Sequence, residues 1–267
     1  MKFGACFNFL AEGKDSVGLP LIKKFAAFGY DYLELPLSEI AALSDEEFES
    51  LKSGLKEVGI KCEACNGFLP ASKRVTGDSV DELSVLAYVE GAFKRANELG
   101  VDYVVFGSPG AKSVPEGFSL ETGCKQVVEF CKKFDPIAKK YDIVIVIEPL
   151  NKGECNIINT FEEGCQIAQE VNCSNVKVLV DYYHLMLEKE PLKHLEHWGK
   201  DYLRHAHFAK VAGRRFPKSM DEDQGYQPFI DVLKRIGYDD RISIEGFSEN
   251  LDEDGPKTLE FFQQNFL

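Results

Sequence analysis

Four ionisable side chains end successive apolar runs in the second half of the chain. Glu148 follows Ile-Val-Ile, Asp181 follows Val-Leu-Val, and Glu245 follows Ile-Ser-Ile. His207 lies in the run His-Ala-His-Phe between the last two. Burying any one of these groups without a partner is costly. Four in succession need a shared counter-charge, and a divalent cation bound by Glu148, Asp181, His207 and Glu245 would supply it.

Three carboxylates and one imidazole form an oxygen-rich donor set. This set suits Mn²⁺, Mg²⁺ or Co²⁺ better than a structural Zn²⁺, and we expect a single ion, with Mn²⁺ the first choice. His205 and His207 are two residues apart and face the same side of a strand. His207 is nearer the carboxyl end, so it is the expected ligand, and His205 is expected to pack below it. The alternative is that the carboxylates cap helices or pair with Lys and Arg.

A repeated strand–helix unit is expected to position these residues. The glycines of Phe28-Gly-Tyr, Val58-Gly-Ile, Leu99-Gly-Val and Ile236-Gly-Tyr each separate a helical pattern from a strand pattern, as a helix-ending glycine does. Helical spacing covers Val80–Leu99, Gly123–Tyr141 and Thr160–Val171. The strand-like runs are Lys2–Phe9, Tyr30–Leu35, Ile60–Cys65, Val101–Phe106, Ile143–Glu148, Val176–Asp181, Tyr202–Phe208 and Arg241–Phe247.

Eight strands alternating with helices predict an α/β fold, a single (β/α)8 TIM barrel over residues 1–267. A doubly wound open sheet is the alternative. Active sites of such barrels lie at the carboxyl ends of the strands, which is where the four ionisable residues are expected.

Composition excludes several function classes. The chain has 31 Lys and Arg against 44 Asp and Glu, a net charge of −13, so a nucleic-acid partner is not expected. No apolar run approaches the ~20 residues of a membrane span. Eight cysteines without secretory features favour reduced thiols and a cytoplasmic enzyme.

The ordered motifs resemble those of the sugar phosphate isomerase/epimerase family, which has the xylose isomerase-like TIM barrel. Its members include D-tagatose/D-psicose 3-epimerases and hydroxypyruvate isomerases. The matching motifs are Glu148-Pro-Leu-Asn, Asp181-x-x-His184, His205-x-His207, Glu245-Gly-Phe and Phe106-Gly-Ser-Pro-Gly.

The resemblance implies roles for individual residues. Glu148, Asp181, His207 and Glu245 would bind the metal, and Glu148 and Glu245 would also be the catalytic acid/base pair. Glu154 and His184 would bind substrate hydroxyls. The family's substrate-binding arginine corresponds to Arg214, which keeps an Arg-x-x-Pro spacing, or to its neighbour Arg215.

A metal ion and two carboxylates are the groups that a sugar epimerase needs. Epimerisation removes a proton next to a carbonyl and returns it to the other face, so two carboxylates are needed on opposite sides of the substrate. A metal ion stabilises the enediolate. Aldose–ketose isomerisation needs the same parts. We therefore expect a divalent-metal-dependent sugar isomerase or epimerase that acts on a small sugar or sugar phosphate. The resemblance further implies a homo-oligomer, a dimer or tetramer.

Several other residues have two interpretations. Cys62 and Cys65 are expected on opposite strand faces, which argues against a zinc or redox pair. The basic run Lys210, Arg214, Arg215 and Lys218 is either a phosphate site or a solvated loop. Gly107–Gly110 is either a phosphate loop or a tight turn. His194 and His197 are expected on an exposed helix, while Glu34, Asn8, Asn66 and Phe7 could reach the pocket by position alone.

Two rival functions remain open. A metal-dependent dehydratase or isomerase of a cyclic polyol, of the inosose type, would need the same metal and a similar base. A DNA repair enzyme of the endonuclease IV type would need further histidines from strands three and four, but all five histidines lie between 184 and 207.

Overall fold

A closed barrel of parallel strands forms the centre of the protein. The computed structural model describes residues 1–10 and 17–267. The strands pair in chain order, and the eighth pairs back with the first, which confirms the predicted (β/α)8 barrel and excludes the open sheet. The prediction of one domain over 1–267 stays a prediction. The strands are β1 (Lys2–Cys6), β2 (Tyr32–Pro36), β3 (Lys61–Asn66), β4 (Tyr103–Phe106), β5 (Val144–Ile147), β6 (Val176–Asp181), β7 (Leu203–Phe208) and β8 (Arg241–Ile244).

Helices surround the strands, and local sequence signals set their ends. Ser44 and Glu47 form a reciprocal capping box, and Thr160 caps the helix that follows it. The four predicted junction glycines have positive φ, from 71° to 93°. The helices are α1 (Leu19–Phe28), α2 (Leu37–Ala42), α3 (Asp45–Val58), α4 (Glu82–Leu99), α5 (Pro109–Lys112), α6 (Leu120–Lys140), α7 (Phe161–Val171), α8 (Tyr182–Leu187), α9 (Leu192–Tyr202), α10 (Tyr226–Arg235) and α11 (Leu251–Phe266). Of the helices in the described ranges, none is both long and apolar enough to span a bilayer.

Side chains alternate between the helix layer and the barrel interior. The interior apolar cluster consists of Tyr32, Ala64, Tyr103, Val105, Val146 and Leu179, separate from the larger core between strands and helices. Polar groups continue the interior toward the carboxyl ends of the strands. Glu34 on β2 contacts His205 and His207 on β7, which lies on the far side of β1 and β8, so all three point to the barrel axis.

A bulge in β3 overturns the prediction for the two cysteines. Leu33 pairs with Cys62 and Glu34 with Ala64, so Glu63 is an extra residue in β3. Because a bulge inverts the alternation that follows it, Cys62 and Cys65 face the same side, and their Sγ atoms lie 3.8 Å apart. The predicted placement on opposite faces is therefore wrong. All eight cysteines are free thiols.

Candidate metal centre

The four predicted ligands meet at one end of the barrel. Asp181 is the last residue of β6 and is in register with His207 of β7, while Glu148 and Glu245 directly follow β5 and β8. Each side chain offers one ligand atom, and these four atoms all lie within 4.8 Å of one another. The Nδ1 atom of His207 is 3.3 Å from Glu148 and 3.1 Å from Glu245. The structure thus brings together residues that are up to 97 positions apart in the sequence. Their role as metal ligands stays a prediction.

The donor atoms fit a hard divalent cation. Ligands on opposite sides of an ion with bonds of ~2.2 Å are ~4.4 Å apart, so small side-chain movements would bring all four atoms to coordination distance. All four residues are buried. Three carboxylates, with the single Arg214 guanidinium beside them, leave excess negative charge in this space, which an ion of charge +2 would offset.

Burial and neighbouring charges act differently on the carboxyl groups. Burial raises the pKa of Glu148 and of Asp181 above their ordinary values. Burial also acts to raise the pKa of Glu245, but the adjacent His207 ring and Arg214 guanidinium outweigh it and hold that pKa below its usual range. The three carboxylates therefore occupy electrostatically distinct positions around one space.

Arg214 lies beside the four residues, and Arg215 does not. A guanidinium nitrogen of Arg214 donates to Glu245 at 2.6 Å and to Asp181 at 3.1 Å, and another lies 3.6 Å from Glu154. Its guanidinium packs between the rings of Phe9 and Tyr183, 4.7 and 4.6 Å from their centroids.

The rest of the basic run pairs with acidic residues. Arg215 forms an ion pair with Glu249, Lys210 with Glu222, and Lys218 with Asp254. These pairs agree with the solvated-loop interpretation and leave the phosphate interpretation without support.

Asn151 joins the two predicted hydroxyl-binding residues. Its side-chain amide donates to Glu154 at 2.9 Å, and its backbone N–H donates to Nδ1 of His184 at 3.2 Å. Nδ1 is thus the acceptor, and the Nε2 atom of His184 faces Asp181 at 3.5 Å. Sequence reasoning missed Asn151 as a site residue, although it is the fourth residue of the Glu148-Pro-Leu-Asn motif.

Three of the four residues placed by position alone contact the cluster: Asn8, Asn66 and Glu34. Asn8 and Asn66 donate to Oε1 of Glu245 at 2.8 and 3.3 Å. Phe7 does not line the pocket: it packs against Phe25 in the helix-side core, because alternation along the chain turns it away from Asn8. The ring that does face Arg214 belongs to Phe9.

The remaining histidines and the glycine turn also have clear positions. His194 pairs with Glu190 and Glu162 on the helix side, and His197 is exposed, as predicted. At Gly107, a Cβ atom would lie 2.2 Å from Oε2 of Glu148. The glycine therefore makes room for the Glu148 carboxylate, and this steric need accounts for a glycine at position 107.

Glu34 has contacts that sequence reasoning missed. By position alone it is expected only to reach the rim. It lies fully buried on the barrel axis, with Oε1 2.8 Å from Nε2 of His207 and Oε2 2.7 Å from Nε2 of His205. No local pattern would have found it, because its partners are on the other side of the barrel.

Comparisons with known proteins agree with this fold. The chain is 24% identical over 256 residues to the D-psicose 3-epimerase of Ruminiclostridium cellulolyticum, covering 92% of this chain and 84% of that protein. It is 26% identical over 259 residues to the inosose isomerase of Bacillus subtilis, covering 91% and 88%. The solved structure of the D-psicose 3-epimerase with D-tagatose from Clostridium cellulolyticum superposes with a TM-score of 0.87 at 21% identity, over 100% of this chain and 99% of that one. The model of the xylose isomerase-like TIM barrel family matches residues 22–264, and the chain belongs to that family.

Proposed function

We propose that this chain is a divalent-metal-dependent sugar isomerase or epimerase that moves a proton on the carbon next to a carbonyl. A ketose 3-epimerase or an aldose–ketose isomerase would do this. The cluster of three carboxylates and one imidazole, with ligand atoms within 4.8 Å, carries the proposal. The similarity to D-psicose 3-epimerase supports the reaction class.

Glu148, Asp181, His207 and Glu245 would hold the ion, and we propose Mn²⁺, with Mg²⁺ and Co²⁺ as alternatives. When bound, the ion supplies electrostatic stabilisation of the negative charge that develops as the proton leaves the carbon. The mostly oxygen donor set supports this choice of metals.

Glu148 and Glu245 are assigned to proton transfer. They follow strands three apart in the ring, and each lies within 3.3 Å of the His207 Nδ1 atom. Because the two carboxylates come from different parts of the rim, each could serve one face of a bound sugar. Asn8, Asn66 and Arg214 orient the Glu245 carboxylate through hydrogen bonds.

Substrate hydroxyls would be bound by Glu154, His184 and Arg214. Asn151 holds the first two through hydrogen bonds, so their polar atoms are oriented before a sugar arrives. The substrate class is a small sugar or sugar phosphate, and no nucleic acid or membrane partner is proposed. Eight free thiols support a cytoplasmic location, and a homodimer or homotetramer is proposed from the family resemblance.

A product screen tests the proposal. The metal-free protein would be loaded with Mn²⁺, Mg²⁺, Co²⁺ or no ion and incubated with free and phosphorylated ketoses and aldoses. Metal-dependent formation of an epimer or an aldose–ketose isomer is expected. No proton exchange at any substrate carbon with any metal would contradict the proposal.

Glu148→Gln and Glu245→Gln test the assignment of the acid/base pair. Each change keeps an oxygen ligand and removes the ability to accept a proton, so turnover should fall ~10²–10⁴-fold at saturating metal. With deuterium on the reacting carbon, one variant should still release the label to water, and the other should show neither exchange nor turnover. Glu63→Gln, at the opposite end of the barrel, is the control.

Turnover within about tenfold of wild type in both variants would leave the two glutamates as ligands only. The base would then have to be another group, with Glu154 the first to test.

A cyclic polyol is the second candidate substrate. The similarity to inosose isomerase, 26% identical over 91% of this chain, favours it. Inosose belongs in the same screen, where an isomeric or dehydrated cyclic product, with no reaction of linear sugars, would favour this candidate.

A further inference from the structure

Glu34 is a buried charge that the proposed reaction does not use. It lies on β2 beneath the four-residue cluster, is fully buried, and has no access to a substrate at the barrel mouth. In the described part of the chain, its partners are His207 at 2.8 Å, His205 at 2.7 Å and the hydroxyl of Ser243 at 2.6 Å. Burying a carboxylate without a Lys or Arg partner costs free energy, so we expect Glu34 to have a specific role.

One assignment of donors and acceptors fits the hydrogen bonds around Glu34. The Tyr32 hydroxyl lies 2.8 Å from the Ser243 hydroxyl, and Ser243 in turn donates to Oε2 of Glu34. His205 also directs Nε2 at Oε2, while its buried Nδ1 has no hydrogen-bond partner among residues 1–10 and 17–267. An ionised carboxylate only accepts, so Tyr32 donates to Ser243, and both Ser243 and His205 donate to Glu34. One acceptor oxygen, Oε1, is then left for His207.

This arrangement decides which nitrogen of His207 faces the cluster. A neutral imidazole has one N–H donor and one acceptor nitrogen. In the neutral ring, which is the form that binds a metal, Nε2–H is donated to Glu34 and the lone pair is on Nδ1. Nδ1 is the atom that lies 3.1 Å from Glu245 and 3.3 Å from Glu148, and in the metal-free protein a protonated ring donates to these carboxylates from the same position. Metal-binding histidines generally donate their other N–H to a carboxylate or carbonyl, which orients the ring and strengthens the ligand.

We propose that Glu34 is a positioning residue that holds His207 with Nε2–H turned away from the site and the Nδ1 lone pair directed at the metal. The inference rests on the proposed metal-dependent function. His205 and Ser243 serve it indirectly, because they hold the Glu34 carboxylate. The His205 ring stacks on Tyr103 at 5.8 Å, which fixes its own orientation.

The same residues could be interpreted as a second metal site formed by Cys6, Glu34 and His207, whose possible ligand atoms also lie within 4.8 Å. That arrangement would require Nε2 of His207 to bind a metal, but Nε2 already contacts Glu34 and lies 3.7 Å from the Cys6 thiol. Both oxygens of Glu34 are likewise engaged. We therefore assign these groups to the support of one metal, and the metal stoichiometry is part of the test.

The test compares two buried glutamates of the barrel interior. Each oxygen of Glu34 faces a different histidine, and a glutamine would replace one of them with an NH2 group, which only donates. Glutamine therefore leaves one of the two histidines without its acceptor. Glu34→Gln is expected to weaken Mn²⁺ and Zn²⁺ binding by ~10–100-fold in titration calorimetry and chelator competition. Glu63→Gln, which removes a buried carboxylate from the other end of the barrel, should leave metal affinity within about twofold. Wild-type affinity in Glu34→Gln, or two bound ions per wild-type chain, would overturn the proposal.

A second measurement needs no variant. In protein labelled with ¹⁵N-histidine and loaded with Zn²⁺, long-range ¹H–¹⁵N spectra should show His207 protonated at Nε2, with Nδ1 bound to the ion. Protonation at Nδ1 would overturn the assignment of Glu34 even if metal binds. A wild-type chain that binds no divalent ion would instead contradict the proposed function itself, so the two failures are distinguishable.

Discussion

Two adjacent arginines at the barrel rim have different environments because of the local backbone conformation. Arg214 has a φ of 49°, within a turn closed by backbone hydrogen bonds between Lys210 and Arg215. This turn directs the Arg214 side chain inward, where it is 9% exposed, while the Arg215 side chain is 42% exposed and pairs with Glu249. Positive φ is uncommon for residues other than glycine, and such outliers occur often at functional sites.

Substitution of each arginine by alanine tests this difference. We expect Arg214→Ala to lower kcat/KM by ~10–100-fold, because it removes charged hydrogen bonds that a substrate hydroxyl would receive. Metal affinity should change little, because losing the hydrogen bonds to Glu245 and Asp181 is offset by removing a positive charge beside the ion. Arg215→Ala is the matched control and should behave like wild type in steady-state assays. Equal effects of the two changes would contradict the assignment of Arg214 to the substrate.

The ends of the neighbouring strands β4 and β5 share a small space. β4 ends at Phe106, and the following Gly107 lies against the Glu148 carboxylate that follows β5. A methyl group at 107 would lie 2.2 Å from Oε2 of Glu148. The position of a predicted ligand on one strand therefore depends on the absence of a side chain on the next.

Gly107→Ala is expected to displace the Glu148 carboxylate and leave the barrel folded. A misplacement of ~1 Å at a reacting group can cost ~10²-fold in rate, and we expect a loss of this order in turnover together with weaker metal binding. Gly91→Ala in α4, where a Cβ would meet nothing within 4 Å, is the control. Crystal structures and calorimetry of the two variants would check this. An unmoved Glu148 with wild-type metal affinity would contradict it.

The two ends of the barrel carry different groups of charged residues. The carboxyl ends of the strands carry the candidate metal centre. The amino ends are joined by ion pairs: Glu63 accepts from Lys2 and from Arg241, both at 2.7 Å, and Arg241 also pairs with Asp102. These contacts connect β1, β3 and β8, so they join strands that are not neighbours in the ring. Barrels of this type commonly separate stability and catalysis in this way.

The ion pairs at the amino end predict a pH-dependent contribution to stability. Burial acts to raise the pKa of Glu63, but the hydrogen bonds from Lys2 and Arg241 outweigh it and lower that pKa below its usual value. A lowered folded-state pKa means that the stabilisation is present above the unfolded-state value of about 4.3 and is lost as pH falls through the folded-state value.

Glu63→Gln should therefore reduce the free energy of unfolding by ~1–3 kcal/mol at pH 7. The difference from wild type should shrink from about pH 4.5 downward, as Glu63 itself becomes protonated. Urea denaturation of both metal-free proteins between pH 3 and pH 7 would measure this. A difference that stays constant or grows on acidification would refute the ion-pair explanation.

The barrel and the ionisable residues at the carboxyl ends of its strands could be predicted from the sequence. Apolar runs, helix spacing and junction glycines are local signals, because they depend on residues within one or two turns of the chain. They located all eight strands, although most of the strands are shorter than predicted: β8 ends at Ile244, not Phe247, because the residues after it belong to the rim. Parallel strands align their carboxyl ends, so the meeting of Glu148, Asp181, His207 and Glu245 could be predicted as well.

The contacts that hold these residues in place could not be predicted from the sequence and are seen in the tertiary structure. The bulge at Glu63 turns Cys65 to the same side as Cys62, and it arises from strand register, which the pattern of a single strand does not contain. The contact between Glu34 and His207 joins residues 173 positions apart across the barrel axis. The choice between Arg214 and Arg215 depends on a turn with positive φ. Each of these features requires the curvature and closure of the whole sheet, and no short segment of sequence specifies that geometry.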